Sequence, residues 1–595
     1  MKKYIALLLI LMMTAGLFAG CNKTTAGTES GNGTDTGTPT ESAKKIYYSC
    51  LSADHSSLNF LDNVDSPVET VATYCMSYLY RAYPDENGIN YHYICDLAEE
   101  LPIQIDEYNW QIKIRKDAHW ENGDPINADT FMFTFKEQLN PIMAPRMSMF
   151  LFSNEITIVN AEAYAMQGNT NTVAWEDVGI KKVDDYTIQI TTVDVNEQIS
   201  VCKHFFSRNT VPVYQPLWEK CLSADGATTS YGADLDHFMG CGPYHFETWD
   251  YDSIQIYTKN EDHWLSDLFH FDEIQIRIVP EMNARVELWE QGLLDTLTPD
   301  ASTLETYIDD PHLVSYGSTT VYHIDINCQN PNNPICSSDN YRKAIYHALN
   351  REVIADSLFG HMEPSGVYVN TQAGMLSTSG LTYRESKYGK EVVDLVNSWG
   401  PYGYNPTLAL EYLDKACEEC GVPKDQVITL KFAFDPSDSA WKSTAQYCME
   451  EFPTIFDNRI QIEIVNYSGI STTAYKQQGD DGWDLSPNDW SRGASRTYPY
   501  QCFYYYTSSY SGSPNNYFND EFDTQYAICD GMKLGDYDTL LQETQKLELI
   551  YLQHVVQCPV VQNINYELQS DRLILPVSTY IPGFGWGACY GDIVE

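Results

Sequence analysis

The sequence predicts an α/β fold built from open sheets. Runs of alternating apolar and polar residues recur, as half-buried strands require. Amphipathic helical runs with capping residues follow them. Strand and helix then alternate along the chain with no internal repeat, which is the pattern of layered α/β architecture.

In order, Trp110, Ile112 and Ile114 form the first clear alternating strand. The turn residues Asn122-Gly123-Asp124-Pro125 follow it. Asn127 is placed to cap a helix whose Phe131, Phe135 and Leu139 share one face, and Pro141 ends it. Ile274, Ile276 and Ile278 alternate again, followed by Pro280 and a helix from about Ala284 to Gln291, closed by Gly292. Tyr322, Ile324 and Ile326 form a further alternating strand. Ser338 is placed to cap a helix carrying Tyr341, Ile345 and Leu349.

The N-terminus carries a different signal. Lys2 and Lys3 precede an apolar stretch from Tyr4 to Gly20, the arrangement of a secretory signal. Ala19, Gly20 and Cys21 resemble the lipobox of bacterial lipoproteins, with Phe18 where Leu is usual. That resemblance implies removal of residues 1–20 and lipidation of Cys21. Residues 22–43 are rich in Thr, Ser and Gly and bury too little apolar surface to fold, so 21–45 reads as a tether. The expected location is the extracytoplasmic face of the cell membrane, held by the lipid alone.

Composition excludes several classes. Losing Lys2 and Lys3 takes the formal charge from −46 to −48. Such a surface repels phosphate backbones, which argues against nucleic-acid binding. It also repels anionic head groups and favours solubility. Tyrosine is abundant, 44 against 22 Phe, and suits both interior layers and clefts. Of the 16 cysteines, those after Cys21 are odd in number and irregular in spacing, so most read as small buried hydrophobes, with room for one or two disulfides. Cys417 and Cys420 form a C-x-x-C inside a helical run from Leu408 to Glu419, without the partners of a zinc site. Phosphate-loop, H-E-x-x-H and G-x-S-x-G motifs are absent. Gly583-Phe584-Gly585-Trp586-Gly587 precedes no helix and reads as a terminal turn. No enzyme activity, metal or cofactor is expected.

Four ordered stretches decide the reading. "DLAEE" (Asp96–Glu100) leads to "WQIKIRKDAHWENGDPINADTFMFTF" (Trp110–Phe135). Gly240-Cys241-Gly242-Pro243-Tyr244 is followed by Trp249 and "KNEDHW" (Lys259–Trp264). "FDEIQIRIVPEMNARVELWEQGLLD" spans Phe271–Asp295, and "YRKAIYHALNREVI" spans Tyr341–Ile354 after Asn327. "YNPTLALEYLDKA" (Tyr404–Ala416) adds a weaker fifth. Together they resemble the extracytoplasmic peptide-binding family of ABC importers, the large receptors for oligopeptides, dipeptides, nickel and some oligosaccharides. Each stretch also has a plain structural role, as tight turns or amphipathic helices.

The resemblance implies the two-lobed periplasmic-binding-protein fold of the large peptide-binding type, with an extra subdomain inserted in the first lobe. Lobe I is expected at 46–80, 200–320 and 560–595, the inserted part at 81–199, and lobe II at 321–559. Hinge crossings fall near Tyr322–Asn327 and Val556–Asn563. Ligand between the lobes favours a closed form that permease subunits recognise. The chain is expected to act as a monomer.

The resemblance places the ligand on two backbone edges, by strand addition. One edge is Val64, Asp65 and Ser66. The other is a tryptophan loop, Trp483–Tyr498, with Asp489, Trp490, Ser491 and Arg492. Peptide binders of the family carry an aspartate three residues after the tryptophan, where it meets the ligand's amine. Here that position is Gly493. Either Asp489 takes the role through a shifted loop, or the ligand is not anchored by a free amine. Arg492 and Arg496 face an anionic group or pair within the loop. The expected function is peptide capture for import. An oligosaccharide receptor of the same fold, with Trp490 as platform, and a surface peptide-signal receptor are the alternatives.

Overall fold

A computed structural model describes residues 44–594 except 153–154, 171, 374–381, 469–474, 477–478, 480–481, 491–497, 510–516, 518 and 533–535, with backbone only at 357, 358 and 490. The expected signal, Cys21 and most of the tether lie outside the described residues. The body is one compact unit beginning at Lys44.

In chain order its main elements are β1 (Ile46–Leu51), α1 (Val68–Cys75), β2 (Tyr80–Pro84), β3 (Tyr91–Cys95), β4 (Ile103–Gln104), β5 (Asn109–Lys113) and α2 (Ala128–Gln138). Then come β6 (Ile180–Asp184), β7 (Thr187–Thr191), β8 (Tyr244–Asp250), β9 (Ile254–Lys259), β10 (Glu273–Ile278), α3 (Met282–Glu290), β11 (Thr296–Leu297) and β12 (Leu313–Ile326). The second half holds α4 (Asp339–Ala348), β13 (Glu363–Pro364), α5 (Pro406–Cys420), β14 (Ile428–Phe434), α6 (Ser439–Ile455), β15 (Ile460–Asn466), β16 (Leu485–Trp490), α7 (Tyr537–His554) and β17 (Gln557–Gln569).

Two sheets dominate. One has four strands in the order β1-β10-β9-β8, and the other runs β11-β17-β12-β16-β14-β15 with β13 on β17. A separate four-stranded sheet, β4-β5-β7-β6, lies between β3 and β8 in sequence. Two large hydrophobic cores accompany them. One gathers residues from Tyr47 to Ile276 and closes with Tyr590 and Ile593. The other gathers residues from Ile324 to Val561. This is the two-lobed α/β fold. Trp110, Ile112 and Phe131, from the segment expected as the inserted part, belong to the first core together with Tyr47 and Ile274.

Local chemistry explains the elements. Asn127 caps α2 by accepting from the amides of Asp129 (3.0 Å) and Thr130 (3.3 Å), and Thr130 Oγ1 accepts from the Asn127 amide at 3.2 Å. Ser338 Oγ accepts from the Tyr341 amide at 3.3 Å and starts α4. Leu349 is the extended cap residue after α4 rather than part of it. α3 begins at Met282, two residues before the sequence expectation, and Gly292 follows with φ +67°. A side chain on Gly242 would place Cβ 2.3 Å from the Cys75 carbonyl carbon, because the Cys241 and Gly242 amides both donate to Cys75 O at 3.0 and 2.8 Å. The Gly-Cys-Gly-Pro stretch therefore docks on the end of α1, a structural role.

β10 alternates as expected, with Ile274, Ile276 and Ile278 buried. β12 does not: His323, Ile324, Asp325 and Ile326 are all buried. Both faces of this central strand are covered, and the polar side chains on one face are held by buried partners described below. The expected hinge crossings fall at the end of β12 and on the first half of β17. Ile324, Ile326, Val556, Cys558, Val560 and Val561 all belong to the second core. The β12–β17 ladder leaves that core over residues 313–317 and 564–568, with a register break between Gly317 and Val321. There β11 joins the far end of β17, through Thr296↔Gln569.

None of the fifteen described cysteines forms a disulfide, and eleven are buried. Cys417 lies buried and Cys420 exposed on α5. Among the described residues, no cluster of His, Cys, Asp and Glu has metal-site geometry, and no helix is long and apolar enough to cross a membrane.

Candidate functional site

Val64, Asp65 and Ser66 form a non-helical segment just before α1. Asp65 is held on three sides. Its Oδ2 accepts from the Ser56 amide and hydroxyl at 2.8 and 2.5 Å, and its amide donates to Asn63 Oδ1 at 2.6 Å. Its carbonyl accepts from Arg208 Nη1 at 3.2 Å. The Ser56 hydrogen bonds hold its carboxyl below the ordinary range. Ser66 O accepts from the Glu69 amide at 3.1 Å. Val64 differs: it is 47% exposed, and its backbone makes no hydrogen bond with a described residue.

Asp489 and Trp490 end β16. They pair across to Tyr322 and Val321 on β12. Among the described residues β16 pairs with β14 through Phe432↔Leu485 alone, and its further residues have no strand partner on that side. Asp489 is exposed, and its amide donates to Asn488 Oδ1 at 3.0 Å. Ser491, Arg492, Gly493 and Arg496 lie outside the described residues, as does the Trp490 side chain.

A buried charge cluster supports β16, and no sequence motif announced it. Lys476 Nζ donates to Asp325 Oδ2 at 2.6 Å and to Pro487 O at 3.2 Å. Asn488 Nδ2 donates to the same Asp325 oxygen at 2.9 Å, and His323 Nε2 lies 3.3 Å from Oδ1. Burial pushes the Asp325 carboxyl up, but the Lys476 ammonium and His323 outweigh it and hold it well below the usual carboxylate range. The one sequence trace was a charged residue inside an apolar strand.

Beside the Val64 edge lies a cavity of about 370 Å³ with aromatic walls. α1 contributes Glu69, Thr73 and Tyr74, and the C-terminal segment contributes Tyr580, Phe584 and Trp586. Glu69 Oε2 pairs with Arg208 Nε at 3.0 Å, so one guanidinium joins the cavity mouth to Asp65. Surrounding protein raises the Glu69 carboxyl, and Arg208 offsets part of that. The glycine-aromatic run at 583–587 is indeed a turn, with φ of +81°, +82° and +65° at its three glycines. It also walls the cavity, a role its sequence did not show. Between the two cores, Tyr498 Oη donates to Glu197 Oε2 at 3.2 Å.

Comparison with known proteins identifies the family and the fold. Residues 92–512 match the family model described as bacterial extracellular solute-binding proteins, family 5 Middle. The dipeptide-binding protein DppE of Bacillus subtilis (strain 168) is 25% identical over 343 residues, 57% of this chain and 57% of that protein. The periplasmic oligopeptide-binding protein OppA of Haemophilus influenzae is 21% identical over 492 residues, 82% of each. The alignments with the Bacillus subtilis relatives DppE and OppA span a little over half the length of those proteins, 57% and 58%. The fold matches that of AppA, a putative peptide-binding protein from Clostridium difficile, with TM-score 0.65 and 17% identity over 93% of this chain and all of that one. It also matches Listeria monocytogenes OppA bound to peptide, with TM-score 0.60 and 19% identity over the same shares. The chain belongs to the bacterial extracellular solute-binding proteins, family 5.

Proposed function

We propose that this protein captures peptides outside the cell and delivers them to the permease of an ABC importer. The observation that carries the reading is the pair of cores joined by β12 and β17, in a chain of the family 5 receptors. Relatives named for dipeptide or oligopeptide binding support it. The bound peptide lies between the open backbone at Val64 and the end of β16 at Asp489 and Trp490. Val64 supplies ladder hydrogen bonds to any extended ligand, which explains tolerance of side chains.

The protein binds without chemistry. A ligand touching both lobes shifts the population toward the closed form, by its differential affinity for the two states. The permease then selects the closed shape. The mature chain begins at a lipidated Cys21, is tethered through residues 22–43, and acts as a monomer.

A thermal-shift comparison tests the ligand class. A pool of tri- to hexapeptides at about 100 times Kd contributes ~2.7 kcal/mol and raises Tm by about 2–3 °C. A rise with maltooligosaccharides and none with peptides would replace the reading with a sugar receptor.

A further inference from the structure

β17 carries a polar stripe where it leaves the second core. Asn563, Asn565, Glu567 and Gln569 share one face by the two-residue period of a strand, and all four are half-buried. The β12 register sets Val314 opposite Glu567 and Tyr316 opposite Asn565, which puts Tyr316 on that same face, diagonal to Glu567. Tyr316 stacks on Tyr580 with centroids 3.9 Å apart and planes 12° from parallel. Trp586 stands edge-on to both, at 5.8 and 5.5 Å. Its indole Nε1 is buried and has no hydrogen-bond partner among the described residues. Tyr580 and Trp586 in turn wall the cavity beside the Val64 edge.

Glu567 is out of balance in this setting. Among the described residues its side chain takes one hydrogen bond, from Gln569 Nε2 at 2.8 Å, and forms no ion pair. Burial raises its carboxyl, and its charge reaches the hydroxyls of Tyr316 and Tyr580. A carboxylate taken partly out of water without a cation is costly, and a structural carboxylate would have a resident partner. Aromatic faces beside a carboxylate favour a cation further.

We infer that Glu567, with Tyr316 and Tyr580, receives a cationic group of the ligand, an ammonium or a guanidinium. This rests on the peptide-capture reading and adds a specificity to it. It moves the amine partner, missing at Gly493, from the tryptophan loop to the crossing strand. Two sources share the chemistry: the peptide's own α-amine, and a Lys or Arg side chain.

The test uses the compact unit from Lys44 onward and two equimolar pools of tetrapeptides, one with free amines and one N-acetylated. Each pool holds Lys- and Arg-containing members and their Met-containing counterparts. Captured peptides are released and quantified by mass spectrometry. The wild type is expected to enrich cation-bearing peptides at least tenfold over cation-free ones. Enrichment of the free-amine pool regardless of side chain names the α-amine as the source. Enrichment of Lys and Arg members within the acetylated pool names the side chain. Glu567→Gln should abolish the enrichment while cation-free peptides still bind, and Tyr316→Leu should weaken it several-fold. The ligand-free Tm of Glu567→Gln should stay equal or rise, because an unpaired charge has gone; a fall would mark a structural carboxylate and overturn the inference. Capture by the wild type without cation preference, or a preference unchanged in Glu567→Gln, would also overturn it and leave peptide capture standing. Failure to capture any peptide would overturn both.

Discussion

At the scale of single residues, the most consequential group outside the ligand edges is the buried pair Lys476–Asp325. Both side chains are at most 1% exposed, and the pair also holds Asn488, the neighbour of Asp489. Removing one partner leaves an uncompensated charge, so Lys476→Met is expected to cost about 3–5 kcal/mol in urea unfolding, while Lys476→Met with Asp325→Leu recovers most of it. The folded-state carboxyl of Asp325 lies below its unfolded value. Its contribution is therefore complete above the unfolded pKa and is lost as pH falls below about 4. Asp325→Asn should flatten the acid limb of stability between about pH 4 and 2, read by urea midpoints. Gly242 is constrained by space: its Cβ would meet Cys75 at 2.3 Å and the Met76 amide at 2.4 Å. Gly242→Ala is expected to lose about 1–3 kcal/mol from overpacking, by the same measurement.

At the scale of elements, capping and alternation were legible where one face meets water. Asn127, Phe131 and Phe135 announced α2, and Ile274, Ile276 and Ile278 announced β10. Asn127→Ala should cost about 1 kcal/mol, because two amides at the helix start lose their acceptor. β12 was harder. Alternation predicts one wet face, but the partner covering His323 and Asp325 comes from Lys476, some 150 residues away. No local pattern encodes such a pairing. The ends of α3 and α4 moved by one or two residues, the ordinary uncertainty of a fraying boundary. The candidate site was half legible. The Val64 edge and β16 came from a family likeness, whereas Glu69, Tyr580 and Trp586 line one cavity, and Arg208 pairs with Glu69, only through tertiary packing of segments far apart in sequence. The aromatic content was visible, but its convergence on one cavity was not.

At the scale of the whole molecule, the proposed closure has one core turning against the other about the β12–β17 ladder. The Tyr498–Glu197 hydrogen bond is a contact between them that turning would break or remake. Peptide binding should lower the radius of gyration in small-angle scattering. The lipidation proposed at Cys21 predicts that Cys21→Ser moves the full chain from the membrane to the soluble fraction, read by cell fractionation.

Native mass spectrometry of the compact unit, before and after mild unfolding, tests the central claim most directly. The account predicts that the purified protein carries, or takes up from a peptide pool, a ladder of masses that fragment as peptides. A ladder spaced by hexose units, or a protein that stays empty in the presence of that pool, would contradict it.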